Sequence, residues 1–368
     1  MKSRSKNIMM AMLVGGFMNL TPSFGQDSAE NRNGLSINAY AEFYYTQDFN
    51  RLGTHRRPGF IYSHNRSGEL AFNLGYLKAS YENTRLRANL AFAAGSYMNA
   101  NYAAERGTFK DLYEANIGVR LSSKHNIWLD AGILPSHIGF ESAAGSDNWT
   151  VTRGLAAENS PYFETGVRLG FTSQNNKWYM AALILNGWQR IERVEGNSDA
   201  PAFGTQLTYK PNPEVTLNYS TYAGSDQPDS LKKMRFFNNI YGIFQLNSKI
   251  GIIAGLDVGF EQSAKNSRDY YSWYAPGIII QYRLEPKITL AARGEYYADP
   301  DNVVVSTGTV QGFKTFGLSG NIDYHISPLA VCRLEIRRFK AKDPIFLSRD
   351  GVMSARNTAI TMALAIRL

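Results

Sequence analysis

Sixteen stretches of this sequence alternate apolar and polar residues with a period of two, and the gaps between them alternate in length. The stretches are 36–46, 70–81, 84–95, 110–121, 127–134, 161–171, 178–186, 202–210, 214–223, 234–246, 250–262, 272–284, 288–298, 313–326, 330–339 and 357–368. In 250–262, Ile250, Ile252, Ala254, Leu256, Val258 and Phe260 share one parity; Gly251, Ile253, Gly255, Asp257, Gly259 and Glu261 share the other. Successive side chains of a strand point to opposite faces, so each stretch reads as a strand with one greasy face. Most run nine to fourteen residues. Strands of soluble sheets average about 5–6, whereas a tilted strand that crosses a bilayer needs roughly 9–11.

The connectors narrow the choice further. The short ones, "EN", "SSKHN", "TSQNNK", "PNP", "NSK", "EPK" and "SPL", hold the Asn, Pro, Ser and Lys of tight turns. Between them fall longer ones: 47–69, 96–109, 135–160, 187–201, 224–233, 263–271, 299–312 and 340–356. Short periplasmic turns and long extracellular loops mark an outer-membrane barrel. A sandwich would bury its greasy face against a second sheet and needs no loop asymmetry, and no fixed repeat of a β-helix is present. The expected fold is an all-β transmembrane antiparallel barrel of about 16 strands, with both ends in the periplasm. Closure leaves no backbone group unpaired in hydrocarbon. Gly251, Gly255 and Gly259 then face the lumen, leaving room or a seat for another side chain.

The N-terminus agrees with export. Lys2, Arg4 and Lys6 precede an apolar run from Ile8 to Leu20, and small residues Ser23 to Gly25 follow. That layout predicts a secretory signal peptide over 1–25, a periplasmic lead over 26–35 and the barrel over 36–368. Without the leader, 36 basic residues face 31 acidic ones. That charge is too mild to imply nucleic acid, and no nucleic-acid motif is present. Cys332 is the only cysteine, which excludes an internal disulfide; it reads as a small apolar residue on a strand.

The segments "DAGILPSHIGFESA" (130–143), "SPYFETGVRLGF" (160–171), "LNGWQ" (185–189) and "AARGEYYADPD" (291–301) resemble the β-barrel porin-2 (OmpL-like) family, in its order and with similar spacing. The resemblance spans essentially the whole mature chain and implies an outer-membrane porin, without naming a solute. Many outer-membrane barrels end in Phe or Trp; this chain ends in Leu368, although its last strand still alternates.

Side-chain parity gives the expected pore lining. Toward the short turns lie Lys78, Arg85, Arg87, Arg120, Arg168, Arg283 and Arg367. Toward the middle and the long loops lie Glu42, Glu114, Asp130, Glu164, Asp257, Glu261, Glu295 and Glu335, interrupted by Arg293, Arg333 and Arg337. The expectation is a lumen acidic outside and basic toward the periplasm, since rings of charge set ion preference. The competing reading is cross-strand pairing, strongest for Arg333, Glu335 and Arg337. The longest connector, 135–160, is the candidate constriction by fold-level analogy with general porins, with Glu141, Asp147, Arg153 and Glu158; a loop that stays on the surface is the alternative.

Catalysis has little support. His55, His64, His125, His137 and His325 read as loop and rim histidines, and no pair has metal-ligand spacing. "DPDN" (299–302) reads as a turn rather than a calcium site. The expected function is passive diffusion of small hydrophilic solutes and ions, with no cofactor, no metal and outer-membrane lipid as surroundings; a homotrimer is compatible with this size. The alternatives are a sugar-type specific channel lined by Tyr40, Tyr44, Trp128 and Tyr297, an outer-membrane hydrolase, and a closed structural barrel.

Overall fold

The computed structural model describes residues 34–50, 53–198, 200–348 and 350–368. The predicted leader and all but the last two residues of the predicted lead lie outside them. The barrel strands are β1 Gly34–Asp48, β2 Leu70–Glu82, β3 Leu86–Ala94, β4 Leu112–Arg120, β5 Asn126–Pro135, β6 Phe163–Thr172, β7 Trp178–Leu185, β8 Ala202–Asn212, β9 Val215–Gly224, β10 Arg235–Gln245, β11 Ile250–Gln262, β12 Tyr270–Glu285, β13 Ile288–Asp299, β14 Phe313–Ser327, β15 Ala330–Ala341 and β16 Arg356–Arg367. Each corresponds to one predicted stretch. A two-residue ladder, Phe346–Leu347 with Met353–Ser354, sits in the last long loop.

Sequence neighbours are sheet neighbours throughout, and β1 closes onto β16. That seam is antiparallel, with Tyr40 opposite Arg367 and Asp48 opposite Ala359. The short connections owe their tightness to side chains that cap their own backbone. Asn83 Oδ1 accepts the N–H groups of Arg85 and Leu86, and Asn247 Oδ1 those of Lys249 and Ile250. A barrel of 16 strands is too wide for wall side chains alone to fill.

The outer face is apolar and banded. Tyr45, Phe236, Tyr274 and Phe316 are exposed near the long loops, and Tyr81, Trp178, Tyr282 and Tyr324 near the short turns. Two aromatic girdles flanking an apolar belt are the signature of a barrel in lipid.

The inward glycines of β11 are seats. A Cβ on Gly259 would lie 2.0 Å from the Trp273 ring of β12, one on Gly255 3.0 Å from Phe140, and one on Gly251 2.6 Å from Trp149. The last two partners belong to the 135–160 loop. Gly259→Val should therefore destabilise the barrel by about 1–3 kcal/mol through overpacking against a rigid indole. Urea unfolding in detergent micelles measures this, and an unchanged midpoint would show that Trp273 has somewhere else to go.

Candidate functional site

The loop between β5 and β6 runs into the barrel and spans it. On its entry side, His137 bonds through Nδ1 to Glu164 on β6 at 2.8 Å and through Nε2 to the Thr221 carbonyl on β9 at 2.8 Å. Gly139 N–H donates to Asn239 on β10. Phe140 and Trp149 rest on the glycine seats of β11. On the opposite wall, Arg333 donates to the carbonyls of Gly145 (2.6 Å) and Asn148 (2.8 Å). Arg293 donates to the Thr152 carbonyl (2.6 Å), and Arg337 to that of Arg153 (2.7 Å). Glu335 accepts the Thr152 N–H, and Glu295 accepts that of Leu155, both at 2.6 Å.

These wall charges are buried, and a buried charge is tolerable only when paired and hydrogen-bonded. Arg333 pairs with Asp323 (2.7 Å), Arg293 with Glu335 (2.9 Å) and Arg337 with Glu295. The inward residues Arg293, Glu295, Arg333, Glu335 and Arg337 thus face the lumen but lie beneath the loop. They pair across strands and bond the loop's peptide groups and the hydroxyls of Thr150 and Thr152.

Of the predicted loop residues, Arg153 and Glu158 are buried and the Glu141 side chain is covered, whereas the Asp147 side chain stays part-exposed, paired with Arg367 at 2.7 Å. Glu141 accepts the Gly154 N–H, and burial raises its pKa. Arg153 donates to the Ser142 carbonyl and lies over the Tyr97 ring. Glu158 accepts the N–H groups of Tyr62 (2.8 Å) and Ser63 (3.1 Å), part of a 57–64 stretch that also folds inward. Burial raises the Glu158 pKa to about 7, against the opposing pull of Arg153 and those two N–H groups.

Two histidines read as rim residues are instead buried joints. His64 is fully buried, with Nε2 3.4 Å from Glu42 Oε1, and burial lowers its pKa despite that carboxylate. His137 is equally enclosed; burial opposes its proton, but the charge and bond of Glu164 outweigh it and the pKa is raised. The proposed aromatic path is also corrected. Tyr40, Tyr44, Trp128 and Tyr297 are buried and packed rather than offered to solute. Sequence parity missed the stacked row Tyr40–Tyr76–Tyr113, because a bulge in β4 between Leu112 and Glu114 turns Tyr113 from its expected face. Asp299 caps the 300–312 loop by accepting the N–H groups of Val303, Val304 and Val305.

The remaining charges lie on the wall from β2 to β6, toward the short turns. Lys78 bonds Glu114 at 2.6 Å; Arg87 grips Asp130 with two bonds of 2.6 Å, and Arg168 reaches the same carboxylate at 3.3 Å. The acids sit below their cations: side-chain exposure is 5 % for Glu114 and 2 % for Asp130, but 27 % for Lys78, 28 % for Arg87 and 21 % for Arg168. Arg85 is exposed and Arg120 half-buried on the same wall, while Arg283 stands apart on β12. Farther up, Glu261 pairs with Arg235 at 2.7 Å, and Asp257 accepts from Asn239 at 2.6 Å.

Residues 34–368 match the family described as "Putative beta-barrel porin-2, OmpL-like". The chain belongs to this family. It is an outer-membrane porin. No curated protein sequence matches it. Among solved structures it is similar to an anion-selective porin from Comamonas acidovorans (TM-score 0.61, 9 % identity, 91 % of this chain and 99 % of that one). It is also similar to the outer-membrane channel DcaP of Acinetobacter baumannii (0.57, 10 %, 91 % and 97 %) and to the trimer form of OmpT from Vibrio cholerae (0.58, 8 %, 91 % and 100 %). At such identities the porin shares their fold.

Proposed function

We propose that this porin is a passive, non-catalytic channel for small hydrophilic solutes, narrowed by the 135–160 loop and favouring anions. The carrying observation is the asymmetry on the β2–β6 wall. Lys78, Arg87 and Arg168 keep part of their surface exposed while their two acidic partners lie beneath them, with Arg120 half-buried on the same wall and Arg85 exposed in the turn that joins β2 to β3. A solute there meets more positive than negative charge, and charge lining a narrow aqueous path sets ion preference. An acidic outer zone contributes little, because Glu295 and Glu335 are covered and paired. The likeness to an anion-selective porin points the same way. We propose a homotrimer, as in the trimer form of the Vibrio cholerae relative.

Reversal potential across a planar bilayer under a salt gradient tests the preference. The wild type should give the sign of an anion-preferring pore. Arg85→Glu combined with Lys78→Gln should move it toward cation preference, leaving the buried Asp130 pair intact. A cation-preferring wild type, or an unmoved potential in the variant, rules the reading out.

A further inference from the structure

The lipid-facing side of the barrel carries one cluster of charge. Apart from Glu285 beside a short turn, the outward strand positions among the described residues are uncharged except for Lys314, Arg338, Lys340 and Arg356. All four are basic, all lie on the adjacent strands β14, β15 and β16, and all lie near the long loops. Lys340 stands directly opposite Arg356 on one side and opposite the girdle residue Phe316 on the other. Arg338 lies one outward position further down β15, opposite Leu318 and Thr358, and Lys314 one outward position above Phe316. Directly opposed residues have Cβ atoms about 4.5–5.5 Å apart, so the four cations share a patch a few strands wide. None of them makes an ion pair among the described residues, whereas the inward arginines Arg87, Arg168, Arg235, Arg293, Arg333, Arg337 and Arg367 all do.

Like charges directly opposed on a sheet repel, and cations facing hydrocarbon are unfavourable unless they reach the interface. Local pairing relieves neither penalty here. A polyanion at the height of the girdle would relieve both. We propose that this patch binds the phosphates of a glycolipid in the outer leaflet, with Lys340 and Arg356 as the central pair and Arg338 and Lys314 flanking them. Arginine forks suit bidentate contact with phosphate, and the exposed apolar row of Leu334, Ile336 and Met362 below offers a surface for acyl chains. The assignment rests on the porin reading, which turns the long loops outward.

Native mass spectrometry of the refolded full mature protein, titrated with bisphosphorylated lipid A, tests it. The wild type should retain this lipid in preference to the dephosphorylated glycolipid and to phosphatidylethanolamine. Arg338→Gln/Lys340→Gln/Arg356→Gln should weaken retention about tenfold or more, given the attraction each cation near a charged surface contributes. Lys340→Arg should preserve it, and millimolar inorganic phosphate should not displace the lipid. Equal binding by the triple variant, no discrimination by phosphate content, or displacement by free phosphate overturns the proposal. So does a triple variant that changes only the oligomeric state, which would make the patch a contact between copies. None of these residues touches the lumen, so conductance of the same samples reports separately on the channel reading.

Discussion

Replacing residues 140–154 by a short glycine–serine linker should raise single-channel conductance severalfold and leave a folded barrel. The loop ties β6, β9 and β10 to β13, β14 and β15, so its removal clears the part of the lumen it crosses. The wall should survive because its charges already answer one another: Arg333 with Asp323, Arg293 with Glu335, Arg337 with Glu295. Water can replace the peptide groups these residues lose, which it could not do in a dry core. The measurement is conductance in a planar bilayer alongside heat-modified mobility of the refolded variant. A folded variant with unchanged conductance would show that the narrowest part of the path lies elsewhere.

The second large effect is a dependence of stability on pH. Burial holds the Glu158 pKa at about 7, above the ordinary carboxylate value. A raised pKa means the folded state binds the proton more tightly. Its contribution is therefore complete below about pH 4.5 and is lost as pH rises to 7, a loss of about 3 kcal/mol at most. His137, whose pKa is also raised, acts in the same sense from about pH 6.5 upward. His64, whose pKa is lowered, acts in the opposite sense and costs stability as pH falls below about 6.5, so the Glu158 contribution is read by difference against a variant that cannot titrate there. Glu158→Gln keeps the size and an acceptor for Tyr62 and Ser63 but removes the titration. Relative to this variant, the wild type should melt at a higher temperature in micelles at pH 4.5 than it does at pH 7. Parallel curves for the two proteins would sink the assignment to Glu158.

The wall was legible in the sequence because its information is local. Strand parity follows from a period of two, turn positions from Asn and Ser side chains that cap their own backbone, and the lipid face from its apolar residues. The loop's inward course was available only by analogy, because what holds it lies far away in the chain: Thr152 meets Glu335, and Gly145 meets Arg333. Nothing in "SAAGSDNWTVTRG" alone states that its peptide groups will be buried. Two hints existed on the receiving side. The inward glycines of β11 marked space to be filled, and the alternation Arg333, Glu335, Arg337 marked charge too dense for open water. Parity placed those three residues facing the lumen, but the loop that covers them changes what they do.

The inward loop also constrains the order in which the molecule can be made. Its anchors on β13, β14 and β15 enter the chain more than 130 residues after Thr152. Contacts of such sequence separation form late and slowly. Until the last strands arrive, the loop's carbonyls and N–H groups have only water as partners. The anchors Arg293, Arg333 and Arg337 lie on the strands that complete the wall, so the loop's final seat exists only once those strands have joined the sheet. The lumen's interior is thus among the last parts of the molecule to take shape, well after the wall from β2 to β6 that carries its exposed cations.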